Sequence, residues 1–358
     1  MGTAHANGEH SFCRLELQPS PHYRGLRVIG WAALFLVLAL LTLWAASALY
    51  FDFPIAKLRV VAAALYLAAM LVAAIFLKPR AWGIAACGGG FLLVLAWWLS
   101  LKPSNTRLWQ PDVAELGWAE IAGDRVTIHN VRNCDYRTET DYTPHWETRT
   151  VNLADLRGID LFLTWWGSPW IAHPILSFQF GDHDHLAFSI ETRKEVGESY
   201  SAIRGFFRQY ELIYIPADER DVVRLRSNYR IGEDVYLFRT RARPEEARRL
   251  FLEYVARMNH LRDHPEWYNA LTNNCTTNIA VDAAASRGRK RPRFDWRLLL
   301  NGKSDEMLYE DGALAGELPF PELKRRAYIN PAARAANDAP DFSERIRERR
   351  PGFEETPP

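Results

Sequence analysis

Apolar and polar positions divide this chain into two unlike parts. The first part holds three near-continuous apolar runs: "VIGWAALFLVLALLTLWAASALY" at 28–50, "LRVVAAALYLAAMLVAAIFL" at 58–77 and "AWGIAACGGGFLLVLAWWLSL" at 81–101. Each is close to the roughly 20 residues that cross a bilayer as a helix. Three such runs in succession predict a membrane anchor rather than a cleaved leader, which would be one shorter run followed by small residues. The "CGGG" at 87–90 either loosens the third helix or lets a neighbour pack closely. From residue 103 the pattern changes to short stretches of β-branched and aromatic residues broken by turn formers. These are "DRVTIHNVRNCDYRT", "TRTVNLADLRGIDLFLTWWGS", "HPILSFQF", "HLAFSIETR", "YELIYIPA" and "DVYLFRTRA". A helical period begins at Pro244, with Leu250, Phe251, Tyr254, Val255, Met258 and Leu261 on one side. A second helix follows Cys275. No internal repeat is present.

The expected organisation is a tail at 1–27, three transmembrane helices at 28–101, a polar linker at 102–110 and an α+β domain at 111–326. A tail at 327–358, rich in Arg, Pro, Ala and Glu, is expected to be poorly ordered. Charge orients the anchor. Arg14, Arg24 and Arg27 precede the first run, and Lys78 and Arg80 lie in the second short loop, whereas the first loop carries Asp52 and Lys57. The positive-inside rule then places the N-terminus in the cytoplasm of a bacterial inner membrane and the α+β domain in the periplasm. The net charge of +1 gives no reason to expect nucleic acid.

Candidate chemistry centres on "WYNALTNNCTTNIAVDAAASRGRK", residues 267–290. The chain has four cysteines: Cys13, Cys87, Cys134 and Cys275. Only Cys134 and Cys275 share the outer compartment, where a disulfide is permitted. No cysteine or histidine spacing matches a zinc site. The "HDH" at 183–185 reads as a hairpin tip more readily than as a metal site, so neither metal nor cofactor is expected. Asn274 is placed to cap a helix opening at Cys275 and running toward Gly288. The dipole and free N–H groups of that first turn favour a thiolate and an oxyanion. The plainer alternative is a structural cysteine at a helix start.

Two histidines are candidate partners. In a hairpin with a loop at 181–183, Pro174, Leu176, Phe178 and Phe180 share one face. His173, Ser177 and Gln179 share the other, against His185, Ser189, Glu191 and Arg193. His173 then lies opposite Glu191, and His185 lies opposite Gln179 near the tip. A slip of two residues would put Arg193 opposite His173 instead. His173 with a cross-strand carboxylate suits a general base; a histidine at an exposed tip does not.

With these residues in view, the chain resembles bacterial proteins carrying the Lnb N-terminal periplasmic domain. The resemblance spans most of 130–278 and rests on "NVRNCDYRTETDYTPHWETR", "WWGSPWIAHPILSFQF", "HLAFSIETRKEVGESYSAIRGFFRQYELIYIPADERDVVRLRSNYR" and "PEWYNALTNNCTTNI". It implies a papain-like thiol fold in permuted order, histidine before cysteine, and acyl transfer to a lipoprotein. Carried over, Cys275 is the nucleophile and His173 its base. Glu191 is the orienting residue suggested by the register. Asn273, Asn274 and Thr276 are oxyanion or positioning candidates. Trp165, Trp166 and Arg193 are substrate-groove candidates, and Trp165, Trp166 and Trp170 suit an acyl groove, the membrane interface or the core. The namesake carries its membrane portion after the thiol domain, whereas here it comes first. Cys134 stands where that pattern has an aromatic residue and is read as incidental.

The expected function is a membrane-anchored thiol enzyme performing acyl transfer or hydrolysis on lipoprotein or phospholipid. The alternatives are a cysteine peptidase or amidase acting on peptidoglycan or peptide, and a non-catalytic envelope binding or assembly module.

Overall fold

The computed structural model describes residues 21–292 and 295–353. Cys13, Arg14 and most of the expected tail lie outside the described residues. The chain forms two compact units, split after Ser100.

The first unit is three helices, α1 Pro21–Asp52, α2 Arg59–Phe76 and α3 Arg80–Ser100. All three are long and apolar enough to cross a membrane. Of the two readings of "CGGG", close packing holds: α3 runs unbroken through it. A Cβ on Gly90 would lie 2.8 Å from the Met70 sulfur of α2. Asp52, at the end of α1, accepts a 2.7 Å hydrogen bond from the Trp98 indole, which satisfies a buried carboxylate.

The second unit is an α+β domain. Its strands are β1 Trp118–Ala122, β2 Arg125–Arg132, β3 Asp135–Tyr136, β4 Tyr142–Thr143, β5 Trp146–Asn152, β6 Leu156–Trp166, β7 Ala172–Phe180, β8 Asp184–Arg193, β9 Glu211–Ala217 and β10 Glu233–Arg239. Its helices are α4 Glu219–Arg224, α5 Pro244–Asp263, α6 Cys275–Ala285, α7 Ser304–Glu310, α8 Phe320–Ala327, α9 Asn330–Ala335 and α10 Phe342–Arg345. The main sheet has the order β1-β2-β9-β8-β7-β6-β10, with β5 also paired to β2. Every pairing in it is antiparallel except β2 with β9.

Alternation sorts the central strands onto two cores. Leu176, Phe178 and Phe180 of β7 and Phe188 of β8 pack on Phe251 and Tyr254 of α5, in the cluster that also contains Cys275. Ile175 of β7 and Ala187 of β8 join Val222 and Val223 of α4 with Ile329, Phe342 and Ile346 of the C-terminal segment. The central sheet is therefore covered on both faces.

Two boundaries differ from expectation. The linker is docked to the domain. Ser104 N–H donates to Glu211, Asn105 binds the Leu261 and Arg262 carbonyls, Arg107 pairs with Glu195 and Glu211, and Trp109 is buried beneath the Arg193 guanidinium. The expected disordered tail is instead part of the fold up to residue 353. Arg347 reaches the sheet and pairs with Asp160 at 2.8 Å and Glu219 at 2.6 Å. Composition reads a tail rich in Arg and Pro as solvated; two buried carboxylates in need of a partner reverse that.

Candidate active site

The β7–β8 hairpin has the expected register. Gly181 turns with φ +60°, and Phe180 faces Asp184 and Gln179 faces His185. The ladder continues to Ile175 opposite Ser189 and stops there, although both strands run on. His173 and Glu191 lie just beyond this opening. His173 Nε2 lies 2.8 Å from Ser189 Oγ, which donates to Glu191 Oε1 at 2.6 Å; the histidine and the carboxylate are themselves 3.9 Å apart. Glu191 therefore meets His173 through a hydroxyl.

Proton inventory then assigns the tautomer. A serine hydroxyl has one proton, and it goes to Glu191, so Ser189 Oγ accepts from His173 Nε2–H. Nδ1 is left as the basic nitrogen. The Glu191 carboxylate is fixed in turn by Arg226, which donates to it at 3.1 Å and to Glu233 at 3.4 Å. Burial alone would raise Glu191; Arg226 and Arg132 outweigh it and hold this carboxyl well below the usual range. Burial, reinforced by Arg226, lowers His173 to about 3, so the ring is neutral at physiological pH.

Cys275 opens α6. Asn274 caps the helix: its side chain accepts from Thr277 N–H, its own N–H donates to the Thr277 hydroxyl, and its amide donates to the Ala270 carbonyl. Asn273 donates to Glu266 and the Trp267 carbonyl and accepts from Asn278. Both asparagine side chains are thus committed to the turn. The oxyanion donors that remain are backbone N–H groups of the first helical turn. The thiol is 3.9 Å from the Thr276 hydroxyl. Its pKa departs from expectation. Burial raises it to about 11, although Thr276, the Cys275 and Thr276 backbone amides and Arg226 all act to lower it. At neutral pH the resting pair is therefore thiol and imidazole rather than an ion pair.

One residue outside the expected set joins the two halves. Asn301 accepts from Ala172 N–H at 2.8 Å, donates to the Ala172 carbonyl at 2.6 Å and lies 2.6 Å from the Thr276 hydroxyl. It clamps the strand residue before His173 to the helix residue after Cys275. Among the described residues no hydrogen bond joins the Cys275 sulfur to His173. Alternation assigns His173, with Ile175 and Ser177, to the core opposite the one that contains Cys275. Both side chains lie within electrostatic reach of Arg226. Ser189 shared the polar face in the sequence pattern. Arg226 and Asn301 carried no local signal beyond the charge-rich "RLRSNYR" and the lone amide of "LLLNGK".

The remaining candidates separate. Arg193 is buried and donates to the Val113 and Ala114 carbonyls and to Asn105, so it holds the linker. Trp165 donates to the Gly302 carbonyl and packs under Lys324 and against Tyr236. Trp166 is half-buried opposite Glu233 on β10, whereas Trp170 is exposed. His185, expected at an exposed tip, is buried within reach of Glu219, Arg347 and Asp160, because the C-terminal segment covers that end. Cys134 is a buried free thiol, raised to about 12 by burial, and forms no disulfide with Cys275.

Comparison with known proteins bears on the domain rather than on its individual residues. Residues 142–302 match the family model described as the Lnb N-terminal periplasmic domain. The match begins later than the resembling blocks and extends to include Asn301. No curated protein and no solved structure matches the chain. Three helices able to cross a membrane, followed by a domain of this kind, fit a membrane protein; residues 142–302, within the second unit, are similar to the Lnb N-terminal periplasmic domain.

Proposed function

We propose that the protein is a membrane-anchored, periplasmic thiol enzyme with its N-terminus in the cytoplasm, acting by acyl transfer or acyl hydrolysis on phospholipid or lipoprotein, on a papain-like arrangement of histidine before cysteine. The observation that carries this is the Asn301 clamp, which fixes the start of α6 and the His173 strand end to each other through Thr276 and Ala172. A merely structural cysteine gives no reason for a neighbouring strand to hold a histidine in one tautomer by a serine, a carboxylate and an arginine.

In this mechanism the two side chains first close on each other from opposite faces of the sheet, and Cys275 Sγ then attacks the ester carbonyl carbon while its proton passes to His173 Nδ1. A buried thiol near pKa 11 and an imidazole near 3 do not exchange a proton at rest. Transfer is therefore coupled to bond formation, which carries the charge onto the carbonyl oxygen. The N–H groups of Cys275 and Thr276 meet that oxyanion, and Arg226 stabilises the excess negative charge. Collapse breaks the ester C–O bond, and the imidazolium returns its proton to the leaving alkoxide. An amine or water then attacks the thioester with His173 again taking the proton, and the thiol re-forms.

The test is intact-protein and peptide mass spectrometry of full-length wild type, Cys275→Ser and His173→Ala purified with native lipid. An acyl adduct on Cys275 that is absent from Cys275→Ser and depleted in His173→Ala is the expected result. The missing sulfur–imidazole hydrogen bond favours a second reading, a non-catalytic envelope module. Absence of any adduct and of activity on lipid esters selects that second reading.

A further inference from the structure

The surface beside Asn301 carries two signals that no step of this chemistry uses. Trp296, Leu299 and Leu300 are each 43–50% exposed, and Trp170 and Ile171 are 47% and 43% exposed. The two segments are in backbone contact: Gly302 N–H donates to the Trp170 carbonyl, and a Cβ on Gly302 would lie 2.3 Å from the Pro169 carbonyl oxygen. Five large apolar side chains thus share one stretch of surface, where a monomer in water seldom clusters them. The chain between α6 and this stretch is strongly basic. Arg287, Arg289, Lys290 and Arg291 are all exposed, and no acidic residue interrupts 287–291.

Tryptophan and leucine beside a run of arginine and lysine is the pairing that holds a protein surface at a lipid interface. Rings and alkyl chains enter the headgroup boundary while cations meet phosphate. A bilayer is at hand, because the same chain has three helices able to cross one. An uninterrupted cationic run also complements a phosphate-rich surface better than a mixed protein surface. We propose that Trp170, Trp296, Leu299 and Leu300 insert into the headgroup region of a bilayer containing anionic lipid, with the 287–291 turn on its phosphates. This docking stands whether or not Cys275 reacts.

The test uses the full-length protein, in a Cys13→Ser background, reconstituted into vesicles of phosphatidylcholine with or without phosphatidylglycerol. An environment-sensitive fluorophore is placed on Leu299→Cys or, as a control, on Ile231→Cys, a fully exposed position in another turn. With phosphatidylglycerol, the label at 299 is expected to shift to the blue and be quenched by spin-labelled lipid, while the label at 231 is not. Neutralising Arg289, Lys290 and Arg291 to glutamine, or raising salt, is expected to abolish the quenching. Equal responses at 299 and 231 would overturn the proposal, as would quenching indifferent to both phosphatidylglycerol and the triple substitution. A blue shift at 299 that appears in detergent and grows with protein concentration marks self-association and also overturns it.

Discussion

Ser189 stands between His173 and Glu191, 2.8 Å from the imidazole Nε2 and 2.6 Å from the carboxylate. The hydroxyl converts a carboxylate too distant for direct contact into a tautomer selector. Ser189→Ala removes that selection while leaving Glu191 bound to Arg226. The rate of acyl-adduct formation on Cys275 is expected to fall by roughly 10²-fold, the lower range of a positioned base's contribution. Ser189→Thr is expected to restore most of it. Time-resolved mass spectrometry of the adduct, with unfolding curves for each variant, separates lost orientation from lost fold. A Ser189→Ala protein that reacts at the wild-type rate removes the hydroxyl from the mechanism.

The buried thiol gives a pH signature. With Cys275 raised to about 11, alkylation by iodoacetamide at this residue is expected to climb about tenfold per pH unit from neutrality, without levelling off before that region. A resting thiolate–imidazolium pair would instead react at a pH-independent rate across neutrality, and such a plateau would refute the neutral pair. Stability follows the same signs. A raised thiol contributes stability that is present below about 8.5 and is lost as pH rises through about 11. His173, lowered to about 3, contributes stability that is present above about 6.5 and is lost as pH falls toward that value. Cys275→Ala is therefore expected to flatten the alkaline arm of a melting-temperature profile, and His173→Gln the acid arm.

Period and turn chemistry made much of this molecule legible. The apolar runs became three helices, the alternation in "HPILSFQF" and "HLAFSIETR" became β7 and β8 in the expected register, and Asn274 became the cap of α6. What stayed hidden depends on groups distant in sequence. The fall in thiol pKa argued from the helix start was reversed by burial contributed from α5 and the sheet. The hydroxyl between His173 and Glu191 required knowing where the ladder ends, which alternation does not encode. Asn301 is joined to Ala172 across 129 positions. Residues 330–353 look solvated by composition because arginine counts as surface until its partners are known.

Arg347 is the clearest of these partners and the most direct test of the C-terminal segment. It is buried, donates to Asp160 at 2.9 Å and makes two bonds to Glu219 at 2.8 and 2.6 Å. Arg347→Met keeps the bulk but leaves Glu219 with the Ser177 hydroxyl and the nearby His185, and Asp160 with Arg239. Removing one member of a buried charge network is expected to cost about 3–5 kcal/mol. The cost should depend on pH. Burial would raise Glu219, but Arg347 and His185 outweigh it and hold the carboxyl at about 2. That depression contributes stability above about 4.3, lost as pH falls through about 2. The gap between wild type and Arg347→Met, read from denaturant midpoints of the full-length protein in detergent, is therefore widest near neutrality and narrows below about pH 4. A variant as stable as wild type at pH 7 would mean that residues 330–353 are dispensable to the fold, and a gap indifferent to pH would detach Glu219 from Arg347.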